Sequence, residues 1–236
     1  MRQVDSALGT RLQAARIVFL DCDGVIFDSN RFKLAAMERV LSEYPAPSRA
    51  AMVAFWRANG GMSRRIKFEH FFRELVQSPD WQELTEAAVQ RFGVYSLEGF
   101  LHVEPLPGAL ALMRSVGRER LVVVSGADQN ELRQVFRAKQ IETLASEVLG
   151  APTKKLRLVE SVLAARGVRV DEALLIGDGA RDFEVCRTLG MHFVYLDEHS
   201  EWDGAREALA LAPDVEWADS WAELLAAAGV VEAPAC

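Results

Sequence analysis

Four short apolar runs rich in β-branched and aromatic residues recur at 17–20, 121–124, 173–176 and 192–196. Runs of this length read as buried strands. Helical patterns separate them, notably at 128–139, 155–166 and 181–189. Few folds accept that alternation. Parallel strands need crossover connections, and both faces of the resulting sheet must be covered, so the chain is expected to be an α/β protein with a parallel sheet between helices. The stretch from 31 to about 100 breaks the alternation. It keeps helical spacing throughout (Phe32, Leu34, Ala35, Met37; Phe68, Phe71, Phe72, Leu75; Leu84, Ala87, Ala88) and holds no convincing strand. It reads as a helical insertion after the first strand, with Gly99 to Gly108, including Pro105 and Pro107, as the return linker. The tail from about 212 is expected to add a short edge strand and a last helix, Trp221–Ala228, ended by Gly229.

Composition narrows the class. Half of the 236 residues are hydrophobic, which supports one large domain with a small insert. A formal net charge of −7 argues against a nucleic-acid partner. Cys22, Cys186 and Cys236 are scattered and odd in number, which suggests neither a disulfide framework nor a zinc site and fits a reducing compartment. The first residues, with Asp5, Arg11 and Arg16, do not read as a signal peptide. No segment approaches the roughly 18 apolar residues of a membrane helix. A soluble cytoplasmic protein without a membrane partner is expected.

In open α/β sheets, ligands bind beyond the carboxyl ends of the strands. Polar residues sit at those places here. Asp21 and Asp23 follow the first run, and Gly24 permits a tight turn. Ser125 and Gly126 follow the second. Lys154 and Lys155 open a helix after Gly150-Ala151-Pro152-Thr153. Gly177-Asp178-Gly179-Ala180-Arg181-Asp182 follows the third apolar run. Singly, an Asp after a strand is a cap or turn former, Ser-Gly a turn, and Lys-Lys a solvated helix start. Together they supply a nucleophile, a hydroxyl donor, a cation and hard oxygen ligands suited to Mg²⁺. Phosphoryl transfer needs that set, because its catalysis is mostly positioning and charge neutralisation. The Gly-Asp-Gly of 177–179 lacks the Gly-x-Gly-x-x-Gly spacing of a dinucleotide site.

Asp-Cys-Asp-Gly-Val at 21–25, Ser125-Gly126, the lysines, and Gly-Asp-Gly-Ala-Arg-Asp at 177–182 resemble, in that order, the four core motifs of the haloacid dehalogenase superfamily. The match runs from about 16 to 195, and the helical insertion sits where that family's first type of cap sits. The resemblance implies a Rossmann-like three-layer core at 1–29 and 101–236, a small helical cap at 30–100, a Mg²⁺ cofactor and an aspartyl-phosphate intermediate. It implies Asp21 as nucleophile and metal ligand, and Asp23 as general acid/base with its backbone carbonyl on the metal. Ser125 and the lysine would hold the transferring phosphate, and Asp178 would complete the metal site. Asp182 would hold the metal through water or orient the lysine. The third motif departs from the commoner Lys-Pro form toward Gly-x-Pro-x-x-Lys, which favours Lys155 and leaves Lys154 open. An acidic residue two places after the nucleophile is similar to the family's phosphatases and phosphomutases, and its dehalogenases lack it. The expected activity is Mg²⁺-dependent hydrolysis of a small phosphorylated metabolite. A phosphosugar mutase and a binding protein without turnover are the alternatives.

Substrate choice is expected in the cap. Asn59 to Phe68 combines flexible backbone with Arg64, Arg65 and Lys67. Its Gly-x-Ser-Arg looks like the cap loop of relatives acting on phosphosugars. It reads equally as a loop and helix with Ser63 as N-cap and basic residues in solvent. The expected substrate- and phosphate-binding set is Gly24, Ser125, Gly126, Arg64 and Lys67. His70, Phe71 and Phe72 are expected in the cap core, and Asp28, Ser29 and Asn30 at the hinge, within reach of substrate.

Overall fold

The computed structural model describes residues 2–3, 6–210, 212 and 215–231. Asp5 and Cys236 lie outside them. The strands are β1 (Arg2–Gln3), β2 (Ile17–Leu20), β3 (Leu121–Asp128), β4 (Glu147–Ala151), β5 (Ala173–Gly177), β6 (His192–Leu196) and β7 (Val215–Ala218). The helices are α1 (Ser6–Ala14), α2 (Asn30–Val40), α3 (Ala46–Ala58), α4 (Arg64–His70), α5 (Trp81–His102), α6 (Pro107–Val116), α7 (Gln129–Ala138), α8 (Lys155–Arg166), α9 (Ala180–Leu189), α10 (Ala205–Leu209) and α11 (Trp221–Ala228). Among the described residues, no helix is long and apolar enough to cross a membrane.

The strands form one parallel sheet in the order β1-β7-β6-β5-β2-β3-β4. Alternate residues point to opposite faces, as the period of two in a strand requires. Val18, Leu20, Val123, Ile176 and Val194 pack with α1, α6, α7 and α11. Ile17, Phe19, Val124, Leu175 and Phe193 pack with α8, α9 and α10. This is the expected α/β sandwich of three layers. After β2 the chain fills one side with β3 and β4, then returns to lay β5, β6 and β7 on the other. The order therefore reverses beside β2, the position where such sheets open a ligand crevice.

Local expectations needed correction in three places. β4 was not among the expected strands, because Glu147 and Gly150 interrupt its apolar pattern at the sheet edge. The strand β7 is not an edge, since the two residues of β1 pair outside it. The segment from Gly99 is not a linker. It stays helical to His102, because Gly99 is there for close packing: a Cβ on it would come within 2.3 Å of the Phe32 ring. The true connection is 103–106 before Pro107 opens α6. The last helix ends as expected, with Gly229 left-handed at φ 67°. Cys22 and Cys186 are free and buried.

Between β2 and β3 stand α2 to α5, with a wider turn at Phe71–Leu75 closed by a hydrogen bond from Val76 N to Phe71 O. Their apolar faces form a cluster of their own around Met37, Met52, Trp56, Phe68, Phe71, Phe72 and Phe92. Each fully buried aromatic there contributes about 1.5–3 kcal/mol by leaving water. The 22-residue α5 spans both regions: Phe92 belongs to this cluster and Phe100 to the core beneath the sheet.

Candidate active site

Asp21 stands at the carboxyl end of β2, its N–H held by Ile176 O of β5 at 3.0 Å. The chain then turns sharply. Gly24 takes φ 72°, and a Cβ there would lie 2.0 Å from Asp178 Oδ2, so only glycine lets this loop close over the end of β5. Asp178 follows β5, and Asp182 sits in the first turn of α9, where its Oδ2 accepts the Gly179 N–H. Asp21, Asp178 and Asp182 are buried, with carboxylate oxygens within 4.8 Å of one another.

Lys155 reaches this cluster from the start of α8. Its Nζ lies 2.7 Å from Asp21 Oδ1 and 2.5 Å from Asp182 Oδ1. Lys154 is the extended N-cap of the same helix and is exposed, so the fold selects Lys155. Burial works against the Lys155 ammonium, but Asp182 and Asp21 outweigh it and hold its pKa above the ordinary lysine value. Burial first, then the charge of Asp182, pushes the Asp21 carboxyl up to about 7 in spite of Lys155. Burial and Asp21 push Asp178 well upward too. Three carboxylates share one ammonium, which leaves a surplus of negative charge. A hard divalent cation fits that surplus and this all-oxygen donor set.

Asp23 faces another way. Burial acts to raise its pKa, but Lys33 and Ser29 outweigh it and hold the carboxyl below the usual carboxylate range. Lys33 Nζ and Ser29 Oγ both donate to Asp23 Oδ1, each at 2.5 Å, which leaves Oδ2 free of them. Sequence reasoning missed Lys33. The available signal was its position in the first turn of the helix that leaves the hinge, one turn after Ser29. Asn30 donates to His199 O at 3.0 Å and lies 3.5 Å from Asp178 Oδ2, so the hinge touches the acidic cluster. Ser200 Oγ donates to Asp178 O at 2.6 Å and is itself bonded to Tyr195 Oη, a support the sequence did not reveal.

The register of β3 on β2, Leu20 opposite Val123, puts Ser125 on the same rim as Asp21. Ser125 is fully buried, and its Oγ accepts the Ala127 N–H. Gly126 meets the helical insertion: a Cβ on it would lie 2.2 Å from Gly61 O. The segment 59–68 divides between the two expectations: Ser63 is the N-cap of α4 and Arg65 is exposed, whereas Arg64 and Lys67 follow neither. Arg64 is neither solvated nor turned to the pocket. Its guanidinium makes two hydrogen bonds to Glu131 of α7, at 2.8 and 2.5 Å. Lys67 is buried over the Trp56 ring and donates to Trp56 O at 3.3 Å. Burial pulls its pKa down to about 7. Ser63 takes the N-cap position of α4 without a side-chain cap bond. Phe71 and Phe72 lie in the core of the helical insertion, while His70 stacks on Phe55 at its edge.

The pocket above the cluster is lined by Asp21, Asp23, Asn30 and Asp178 below, Arg57, Gly60 and Gly61 from the helical insertion, and Glu201 and Trp202 at the side. Arg57 is the pocket cation that sequence reasoning passed over; its nearness to the Gly60-Gly61 turn was the available signal.

The family model for haloacid dehalogenase-like hydrolases matches residues 17–196. That span holds all four strand-end groups just described. A predicted phosphoglycolate phosphatase from Haemophilus somnus is 17% identical, with a TM-score of 0.68 over 90% of this chain and 97% of that one. A hydrolase from Pseudomonas syringae is 19% identical, with a TM-score of 0.72 over 89% and 96%. A HAD-superfamily hydrolase from Geobacter sulfurreducens is 21% identical, with a TM-score of 0.59 over 90% and 96%. At these identities the likeness is one of fold. No curated protein matches the sequence. The acidic strand ends, the inserted helices and a family match over most of the chain agree: this protein belongs to the haloacid dehalogenase-like hydrolases.

Proposed function

We propose that the protein is a Mg²⁺-dependent phosphomonoester hydrolase acting on a small phosphorylated metabolite. The observation that carries the reading is the buried cluster at the pocket floor, with Lys155 between Asp21 and Asp182 and Asp178 beside them. In this reading 1–29 with 101–236 form the catalytic core and 30–100 the cap. A carboxylate oxygen of Asp21 attacks phosphorus while the ester P–O bond breaks; Asp23, ionised in the free site by Lys33 and Ser29, takes a proton from the bound phosphate monoanion and gives it to the departing alkoxide. Asp23, now ionised, takes a proton from water, and that oxygen attacks phosphorus. The acyl-phosphate P–O bond breaks, phosphate leaves and Asp21 is restored. Lys33 and Ser29 engage Oδ1 of Asp23, so Oδ2 is the oxygen that carries the proton. Lys155 and Ser125 hold the phosphoryl oxygens, and Asp182 fixes the lysine. Asp21, Asp178 and the backbone carbonyl of Asp23 would hold Mg²⁺, which supplies neutralisation of the phosphoryl charge.

The test is release of inorganic phosphate from a panel of phosphate esters. Chelation should abolish release and added Mg²⁺ restore it. Full activity after exhaustive chelation would remove the reading. An isomerised phosphosugar with no free phosphate would replace it by the mutase on the same scaffold.

A further inference from the structure

The cations around the pocket are spoken for, with one exception. Lys155 is held by Asp21 and Asp182, Lys33 by Asp23, Arg64 by Glu131 and Arg181 by Glu184. Lys67 is buried on Trp56. Arg57, in the last turn of α3, lines the pocket, is exposed, and makes no hydrogen bond or ion pair among the described residues. Its setting makes this notable. Asp21, Asp23, Asp178 and Glu201 line the same pocket, yet none of these carboxylates takes it as a partner. An unpaired guanidinium opposite an acidic floor offers a planar fork of donors, which matches a carboxylate or a phosphate.

We propose that Arg57 is the specificity-determining residue of this site, and that the substrate is a small phosphomonoester carrying a second anionic group, a carboxylate or a second phosphate, which Arg57 binds. This rests on the phosphatase reading above. The reacting phosphate is held at the floor by groups any phosphate ester would satisfy. The remainder of the substrate projects toward the cap, where Arg57 is the free charged donor. Arg64, the arginine of the Gly-x-Ser-Arg loop, cannot do this while both its outer nitrogens are bonded to Glu131. The acidic surroundings also set a condition: a neutral extension gains nothing from Arg57, and a cationic one is repelled by it.

The experiment compares matched pairs with the Mg²⁺-loaded full chain. 2-Phosphoglycolate against 2-hydroxyethyl phosphate tests a carboxylate, and fructose 1,6-bisphosphate against fructose 6-phosphate tests a second phosphate. The wild type should prefer the doubly anionic member of at least one pair, and which pair shows the preference identifies the group. Arg57→Ala should lower kcat/KM for that member about tenfold more than for its neutral partner, chiefly through KM. Arg57→Lys should recover part of the difference, since it keeps charge and loses the fork. Equal losses on both members, or no preference in the wild type while phosphate is released, would overturn the role of Arg57 alone. Absence of phosphate release from every ester would overturn the phosphatase reading, and this inference with it.

Discussion

The pocket floor and the segment 57–67 of the helical insertion are both dense in charge, and the fold treats them in opposite ways. At the floor, Asp21, Lys155, Asp178 and Asp182 come from distant parts of the sequence and converge: Lys155 bonds Asp21 and Asp182, and the three carboxylates lie within 4.8 Å of one another. In the helical insertion, Arg57, Arg64, Arg65 and Lys67 are neighbours in sequence and diverge. Arg57 lines the pocket, Arg64 pairs with Glu131 in the core, Arg65 pairs with Glu86 in solvent, and Lys67 packs on Trp56. Parallel strand ends gather side chains at one rim, whereas successive helical residues turn by about 100° each and meet different surroundings. A cluster of charge in sequence is therefore not a cluster in space, and a dispersed set becomes one when each member follows a strand.

The largest effect should come from the floor. Asp21→Asn keeps the shape and removes the proposed nucleophile, so kcat should fall about 10³-fold or more. Steady-state phosphate release measures it, and substantial remaining turnover would remove Asp21 from the chemistry. The same variant should raise the melting temperature of the metal-free protein, because it deletes one of the crowded carboxylates.

Next in size is Lys155→Met. It leaves Asp21 and Asp182 buried without their shared cation, which should cost about 3–5 kcal/mol in urea unfolding. Lys154→Met, on the exposed neighbour, should change neither stability nor turnover noticeably. Comparable effects at the two positions would contradict the convergence on Lys155.

Smaller again is the tie between the two regions. The Arg64–Glu131 pair is largely shielded, with side chains 14% and 21% exposed. A double-mutant cycle with Arg64→Ala and Glu131→Gln should give a coupling of about 1–2 kcal/mol, between the values for surface and buried pairs. Arg65 and Glu86, half exposed, should show no coupling. A cycle near zero for Arg64 would return it to the solvated face of the helix.

In the pH dependence of metal-free stability, the floor and the helical insertion should act with opposite sign. Folded Asp21 titrates at about 7 against 3.8 for its ordinary value, so the folded state binds more protons in between and its contribution falls as pH rises from 4 to 7. Folded Lys67 also titrates at about 7, against 10.5, so there the unfolded state binds more protons and stability rises from pH 7 to 10.5. Thermal unfolding across pH should show both slopes. Asp21→Asn should flatten the first and Lys67→Met the second. Mg²⁺ should also bind more tightly as pH rises toward 7, with proton release visible by calorimetry in buffers of different ionisation enthalpy.

By itself the sequence determined the parallel α/β core, five of its strands (β2, β3, β5, β6 and β7), the insertion of helices after β2, and the placement of Asp21, Asp23 and Asp178 just beyond strand ends, with Ser125 and Asp182 on the same rim. These are local signals: an apolar run, a turn glycine and a polar residue beyond it declare themselves within a few positions. Only the tertiary structure decided between Lys154 and Lys155, because one step along the chain separates an exposed cap residue from a buried one. It alone joined Lys33 to Asp23, sent Arg64 to Glu131, left Arg57 in the pocket and put β1 outside β7. A side chain's partner depends on which element packs against it, and that contact is made across sequence distances no local pattern records.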